Sequence, residues 1–450
     1  MLVRAKPFLD TSAVRSYLVS LGDENHTTVK EFENKFLSVV GSSYAIAVNQ
    51  GRSALLLGLK SLNIKPGDEI IVQSFICKVV IDAIIEAGGT PKLVDSSLSD
   101  FNVSPNDIRD RITTKTRAII VAHLYGIPSD IQSITEIAKE NKCFMIEDCA
   151  HAIGSSYDGK SIGSFGDLSF FSFNFDKPIS TGDGGMLIVN NVDLIDNVKK
   201  VVDCYEHTPI EIERRITYGL ILQSIFTNRE SYNTYLPIEY GRTLIENNQS
   251  LIGVMDDLLV SNLGENQIAR KLTKYLSEKS LLPSGYETET KPVFRKTLEN
   301  NQIEERQLLM NSLRARIGLN QLENLDSIID IRKRNAENLT NHLDRDLYQL
   351  PENKLECESV QIRYAVLNHT KYSISEISQK ARSKGYEIRN YNWKSPVHLI
   401  EPYSKILSYN RESLKNSEQL SQSLLNVPIH YYVNDNDLEK IIWLLNNLDE

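Results

Sequence analysis

Cysteine is scarce in this chain: five residues in 450, at Cys77, Cys143, Cys149, Cys204 and Cys357. An odd number without metal-ligand spacing argues against both a disulfide framework and a zinc site. Cys143 and Cys149 flank an apolar run, which reads as two buried, reduced thiols. Long hydrophobic runs are also missing. No stretch reaches 18 apolar residues, and Arg4, Lys6, Asp10 and Arg15 interrupt the first twenty, so neither a membrane span nor a secretory leader is expected. Lysine and arginine form no cluster of useful length, and the net charge is −9, which makes nucleic acid an unlikely partner and leaves any anionic ligand to a local basic pocket. These absences together predict a reducing, cytoplasmic setting with no membrane and no nucleic acid involved.

What is present is a substantial apolar fraction, 41%, in a chain long enough for two or three domains. Seven short apolar runs read as strands: Ala45 to Val48, Glu69 to Val72, Lys92 to Asp95, Ala118 to His123, Cys143 to Ile146, Leu168 to Phe173 and Met186 to Val189. Helical patterns separate most of them, as in Ile131 to Asn141, and Val29, Phe32, Phe36 and Val39-Val40 make a helical stripe ahead of the first. This alternation predicts an α/β domain with a mostly parallel, seven-stranded sheet. From about Asp326 the pattern changes to a charged helix (Ile331 to Leu343), a strand (Gln361 to Leu367), a helix ended by Gly385, a strand (Leu424 to Ile429) and a closing helix capped at Asn434 or Asp435, a small α+β domain. The expected organisation is a large domain over 1–325, interrupted at 204–303 by a helical insertion with helices near Leu244 to Leu263 and Gln267 to Leu282, and a small domain over 326–450. A solvated segment is the plain alternative for the insertion.

Chemistry concentrates in two neighbouring segments. Ile146-Glu147-Asp148-Cys149-Ala150-His151 ends one apolar strand. Ser172-Phe173-Asn174-Phe175-Asp176-Lys177, followed by Thr181-Gly182-Asp183-Gly184-Gly185, ends the next. A carboxylate at one strand end and a lysine in a Gly/Ser/Thr-rich loop after another is what pyridoxal phosphate requires: an amine for the Schiff base and an acid to hold a proton on the pyridine nitrogen. Alone, Asp148 reads as a turn or cap and Lys177 as a solvated charge. If the two strands are close in one parallel sheet, both residues emerge at carboxyl ends, where such sheets bind ligands. Ser172 can offer a hydroxyl to the phosphate, and His151 can lie over the ring or meet its phenolic oxygen. Gly51-Arg52-Ser53 sits between an apolar strand and an apolar helix, a helix N-terminus suited to a dianion.

With these segments in place, the chain resembles the DegT-type (DegT/DnrJ/StrS) sugar aminotransferases, a branch of the fold-type-I, aspartate-aminotransferase-like pyridoxal-phosphate enzymes. The resemblance covers about Tyr44 to Asn191 and Ile317 to the C-terminus. It is carried also by Pro66-Gly67-Asp68-Glu69-Ile70, Gly88-Gly89-Thr90-Pro91, His123-Leu124-Tyr125-Gly126, Gly163-Ser164-Phe165-Gly166-Asp167 and Ile317-Gly318-Leu319-Asn320-Gln321-Leu322. It implies that Lys177 is the Schiff-base lysine and proton carrier, that Asp148 pairs with the pyridine nitrogen, and that His151 lies near the phenolic oxygen. Gly51, Arg52, Ser53 and Ser172 would bind the phosphate. The implied reaction moves an amino group from an amino acid, glutamate by family habit, to a nucleotide-linked keto-sugar, with pyridoxamine phosphate between the two halves. The implied assembly is a homodimer with shared sites.

The chain departs from the family at two places. Cys77 stands where an aromatic usually stacks on the cofactor. Arg306-Gln307-Leu308-Leu309-Met310-Asn311 replaces an Asn-Tyr-Arg segment that reaches the neighbouring subunit, leaving Gln307 or Asn311 as substitutes. Arg389, Tyr391, Trp393 and His398 fall where the family's small domain nears substrate, although a lone His or Trp is more often structural, and His123 is a second-layer candidate. The competing functions are a sugar 3-dehydratase on the same cofactor, whose family members carry histidine in place of the lysine, a non-catalytic pyridoxal-phosphate-binding regulator, and an interaction protein working through the insertion.

Overall fold

The computed structural model describes residues 2, 5–6, 8–9, 27–227, 249–260, 265–279, 307–390, 393–407, 409 and 414–450. In chain order its strands are β1 (Tyr44–Val48), β2 (Glu69–Gln73), β3 (Thr90–Val94), β4 (Thr116–Ala122), β5 (Phe144–Asp148), β6 (Ser156–Tyr157), β7 (Lys160–Ser161), β8 (Leu168–Ser172), β9 (Gly185–Val189), β10 (Glu206–His207), β11 (Leu308–Leu309), β12 (Tyr348–Gln349), β13 (Cys357–Glu358), β14 (Tyr364–Asn368) and β15 (Leu424–Val427). Among the described residues, nine strands form one sheet in the order β10-β11-β1-β9-β8-β5-β4-β2-β3. Its seven longer strands are the seven expected. Two additions of two residues each, β10 and β11, extend the β1 edge; they are too short to show a period in sequence.

Strands β3, β2, β4, β5 and β8 run parallel. Strand β9 is antiparallel to both β8 and β1, so β1 again points the way of β8. Both faces of the sheet are apolar, which is why these strands read as nearly continuous hydrophobic runs. Ile46, Val48, Ile70, Val72, Ile120 and Leu187 pack on one side. Their neighbours Ala45, Ala47, Ile71, Ile119, Val121 and Ile188 pack on the other. The Thr27–Val40 helix covers the second face with Val29, Phe32, Phe36 and Val40. Phe36 meets Phe171 edge-on at 4.9 Å. The Ser312–Glu323 helix can lie against it because position 318 is glycine: a Cβ there would come within 2.6 Å of the Phe32 ring.

Towards the C-terminus, β12, β14 and β15 form an antiparallel three-stranded sheet with an apolar cluster of its own, including Leu339, Val366, Ile377, Leu425, Ile441 and Leu445. The helices flanking it start on capping boxes, Ser373 with Glu376 and Asn434 with Asp437. Between residues 208 and 294 the structure describes the helices Ile210–Phe226, Gln249–Val260 and Glu265–Glu278. They share a cluster of Tyr218, Leu222, Leu251, Met255, Leu272 and Leu276 with Leu313 and Ile317. Residues 228–248, 261–264 and 280–303 of the expected insertion lie outside the described residues. No described helix is long and apolar enough to cross a membrane.

One turn brings the C-terminal part against the large sheet. Gly126 has φ +92°, and a Cβ there would lie 2.2 Å from the Val360 carbonyl oxygen and 2.9 Å from that of His151. Both the backbone angle and the packing demand glycine. Gly126→Ala is therefore expected to lower the unfolding free energy by at least about 2 kcal/mol, read as a reduced urea midpoint. An unchanged midpoint would contradict the close approach.

Candidate active site

Strand register places the ends of β1 and β8 on either side of β9, with Val48 opposite Gly185 and Gly185 opposite Ser172. The chain leaving β1 then passes directly over Gly185. A Cβ at that position would stand 2.6 Å from the Gln50 carbonyl oxygen and 2.7 Å from Gly51 Cα. Gly51 in turn opens the Gly51–Ser61 helix against Ser172, where an added Cβ would be 2.8 Å from that of Ser172. The helix N-cap, Gln50, makes no side-chain cap bond. First-turn amides have no intrahelical acceptor, so the Gly51 and Arg52 N–H groups form a corner suited to an anion, beside the Ser172 hydroxyl and the Arg52 guanidinium.

Two consecutive residues at the end of β5 carry carboxyl groups in opposite environments. Glu147 is fully buried and accepts hydrogen bonds from the backbone N–H groups of Gly163 (2.8 Å), Phe165 (2.8 Å) and Gly166 (2.7 Å). His123 Nε2 is 3.3 Å from it. Because His123 Nδ1 accepts from the Ser129 N–H at 3.0 Å, the neutral ring carries its proton on Nε2, the nitrogen that faces Glu147. Although His123, Glu147 and Cys149 bring ligand-type atoms within 4.8 Å of one another, both Glu147 oxygens are already taken by N–H donors. Burial also holds the Cys149 thiol protonated, well above its ordinary range. Asp148 is less well served. Burial raises its pKa to about 6, against the weaker pull of the Ala150 N–H, Lys177 and His123.

The lysine loop is held at several points. Lys177 N–H closes a turn on the Asn174 carbonyl at 3.0 Å, and Thr181 Oγ1 donates to the Asp183 carbonyl at 2.6 Å. Ser180 is gripped at both its N–H and its carbonyl by the side chain of Gln321. The Lys177 amine lies 3.5 Å from the Asp176 carboxylate, which also pairs with the guanidinium of buried Arg363. Opposite, His151 Nδ1 accepts the Tyr125 N–H at 3.2 Å, so the ring proton is on Nε2. Burial, and then the charge of Lys177, push the His151 pKa well below 6.5, leaving a neutral donor at physiological pH. The Trp393 ring lies 15° from parallel to His151 at a centroid distance of 6.1 Å, and Phe75 meets Trp393 edge-on at 5.0 Å.

These groups line one cavity of about 380 Å³: Gly51, Arg52, Asp148, His151, Ser172 and Lys177 all reach it, as do His123, Cys77, Arg363 and Trp393. Ser53, the remaining expected phosphate ligand, does not line it; its hydroxyl donates to Asn49 Oδ1 at 2.8 Å on the far side of the helix start. Asn311 is committed within its own chain, capping the Ser312–Glu323 helix and donating to the Thr208 carbonyl. Gln307 pairs through its backbone carbonyl with Glu206 beside β10. His398 lies outside the cavity, between Ser74 Oγ at 2.6 Å and Glu418 at 3.3 Å. Arg389 bonds Glu387 and pairs with Asn426 through its backbone. Tyr391 is outside the described residues. Arg363 had no motif to mark it, being a single arginine before a short strand.

The architecture and cavity define an α/β protein of the fold-type-I pyridoxal-phosphate class. The chain belongs to the DegT/DnrJ/EryC1/StrS aminotransferase family, whose profile matches residues 11–207 and 295–446. It is 46% identical over 168 residues to GDP-perosamine synthase of Escherichia coli O157:H7, 37% of this chain and 46% of that protein. It is 40% identical over 184 residues to the dTDP-3-amino-3,6-dideoxy-alpha-D-galactopyranose transaminase of Aneurinibacillus thermoaerophilus, 41% and 51% of the two chains. These matches span about half the length of the curated relatives. Among solved structures, the aminotransferase from Psychrobacter cryohalolentis superposes with a TM-score of 0.71 at 20% identity, covering 99% of this chain and 98% of that one. Sugar aminotransferase CalS13 from Micromonospora echinospora gives 0.68 at 18%, covering 99% and 100%; likeness at this identity speaks for the fold alone.

The raised Asp148 pKa makes stability depend on pH. Folded, the carboxyl keeps its proton up to about pH 6; unfolded, it loses it near 3.8. The folded state therefore binds more protons across that window, and stability falls as pH rises through it. In protein without added cofactor, the stability of Asp148→Asn relative to wild type is expected to rise by roughly 2–3 kcal/mol between pH 4 and pH 7.5, measured by urea unfolding at each pH. A difference that stays flat with pH would show that Asp148 is not the strained group.

Proposed function

We propose that the protein is a pyridoxal-phosphate-dependent aminotransferase that moves an amino group from an amino acid, L-glutamate, to a nucleotide-linked keto-sugar in amino-sugar biosynthesis. The observation that carries this reading is the convergence of Lys177, Asp148, His151, Ser172 and the first turn of the Gly51–Ser61 helix on one cavity. The fit to the cofactor is chemical: an anion corner, a carboxyl disfavoured as a bare anion, a neutral donor and an amine, each at a different part of its wall. When bound there, pyridoxal phosphate supplies an electron-accepting ring that stabilises negative charge on a substrate carbon.

The chain's own residues do the rest. The Gly51 and Arg52 amides, the Arg52 guanidinium and the Ser172 hydroxyl hold the phosphate. Asp148 would hold a proton on the pyridine nitrogen, and that adjacent positive charge would favour the ionised form of the carboxyl. His151 donates from Nε2 to the phenolic oxygen. Lys177 Nζ would hold the group through its aldehyde carbon and, when free, is the amine of the cavity that would take a proton from the donor's α-carbon and return one to the keto-sugar's carbon. The sugar nucleotides in the relatives' names support the acceptor class. A relative of Saccharopolyspora spinosa, 36% identical over 182 residues, is a dTDP-4-dehydro-2,6-dideoxy-D-glucose 3-dehydratase. Lys177 favours amino transfer over that reaction, because histidine is the residue expected at this position of a dehydratase.

Absorbance spectroscopy tests the reading. With pyridoxal phosphate added, the wild type is expected to develop a visible band that Lys177→Ala lacks, and L-glutamate is expected to bleach that band into the near ultraviolet. A Lys177-dependent band that glutamate leaves unmoved would overturn the donor. Absence of any Lys177-dependent band would overturn the cofactor and the function with it.

A further inference from the structure

Residues 208–294 lie outside the family match, yet the first helix of this segment, Ile210–Phe226, runs along the back of the lysine loop. Gly182, with φ +85°, lies so near it that a Cβ would stand 3.0 Å from Ile216 Cγ2, 3.1 Å from the Ile216 carbonyl oxygen and 3.2 Å from Leu220 Cβ. One turn earlier on the same helix, Glu213 is fully buried. It receives Arg314 Nε at 2.7 and 2.9 Å and Arg314 Nη2 at 2.5 Å, together with the Asn311 N–H at 3.2 Å.

Arg314, likewise fully buried, uses its remaining donors on the backbone of the cavity walls. Nη1 donates to the Asn49 carbonyl at 2.8 Å and to the Asp183 carbonyl at 3.0 Å; Nη2 also reaches Thr208 Oγ1 at 3.1 Å. Asn49 immediately precedes Gln50, the N-cap of the Gly51–Ser61 helix. Asp183 lines the cavity at the end of the lysine loop. One guanidinium thus ties the anion corner to the lysine loop. A buried guanidinium is stable only with a counter-charge and filled donors, and that charge comes from Glu213, in the segment the family match omits.

We propose that the Ile210–Phe226 helix is a structural wall of the cofactor site, and that Arg314, neutralised by Glu213, is a positioning residue that sets the distance between the phosphate corner and Lys177. This rests on the cofactor assignment above. A ligand that must reach both walls feels that distance, whereas one that makes no contact with the phosphate corner does not. Pyridoxal phosphate belongs to the first kind and pyridoxal, which lacks the phosphate, to the second.

The test is a pair of dissociation constants, for pyridoxal phosphate and for pyridoxal, measured by absorbance titration of wild type, Glu213→Gln, Arg314→Lys, Arg314→Met and Leu222→Ala. Leu222, fully buried on the same helix, is the control for lost stability alone. The expected result is that Arg314→Met and Glu213→Gln weaken pyridoxal phosphate by about tenfold or more and pyridoxal by less than about threefold, with Arg314→Lys between them and wild type. Leu222→Ala is expected to lower the melting temperature while leaving the ratio of the two constants at its wild-type value. Should Arg314→Met fail to fold, Glu213→Gln and Arg314→Lys carry the same comparison. A wild-type ratio in the folded Glu213 and Arg314 variants overturns the inference, as does an equal change of ratio in Leu222→Ala. Failure of the wild type to bind pyridoxal phosphate at all overturns the function first and the inference with it.

Discussion

Three backbone segments have to pass almost through one another at the end of the sheet, and most of the site follows from that crowding. The antiparallel strand β9 sits between β1 and β8, and because residue 185 has no side chain, the chain turning out of β1 can cross above it and bring Gly51 against Ser172. A larger residue at 185 or 51 would push the helix start away from the β8 end, separating the helix amides from the serine. The sheet's mixed direction is thus tied to the placement of the anion corner. The antiparallel return of β9 keeps both ends of the twelve-residue lysine loop at this end of the sheet, close to the same corner.

The two carboxyls at the end of β5 show how one strand terminus serves two ends. Glu147 faces into the protein and is saturated with N–H donors, so it stitches the chain at residues 163–166 onto the strand and costs little as an anion. Asp148 points the other way, as alternation along a strand demands, and finds one backbone donor. Stability is concentrated in the first and chemical tension in the second. Such a division is common where a site needs a group whose charge is supported only when its ligand is present.

What could be read from the amino-acid order was whatever is local. The strands, the Asp148 turn, the glycine-rich lysine loop and the helix start at Gly51 each carry their signal within a few residues, and the structure brings them to one cavity. Ser53 was grouped with its neighbours because it is adjacent in sequence, but two further steps around a helix turn its side chain about 200° from the direction in which Gly51 meets Ser172, towards Asn49. Groups that act across distance left no local trace. Trp393 was brought near substrate only by the resemblance, while Arg314 and Gln321 sit seven positions apart on one helix face, aimed at a loop more than a hundred residues away. The segment 204–303 was the least legible for a related reason: its polar composition gives no sign that Glu213 is buried and paired with Arg314.

Asp176 is shared by two cations, the amine of Lys177 at 3.5 Å and the guanidinium of Arg363. Any event that neutralises the amine removes one of these two positive charges from the carboxylate and, with it, the repulsion between amine and guanidinium. Arg363 immediately precedes β14, 187 positions along the chain from Asp176. The charge on one nitrogen therefore bears, through Asp176, on the residue that leads into the C-terminal sheet, and the two parts of the molecule share an electrostatic link as well as a boundary.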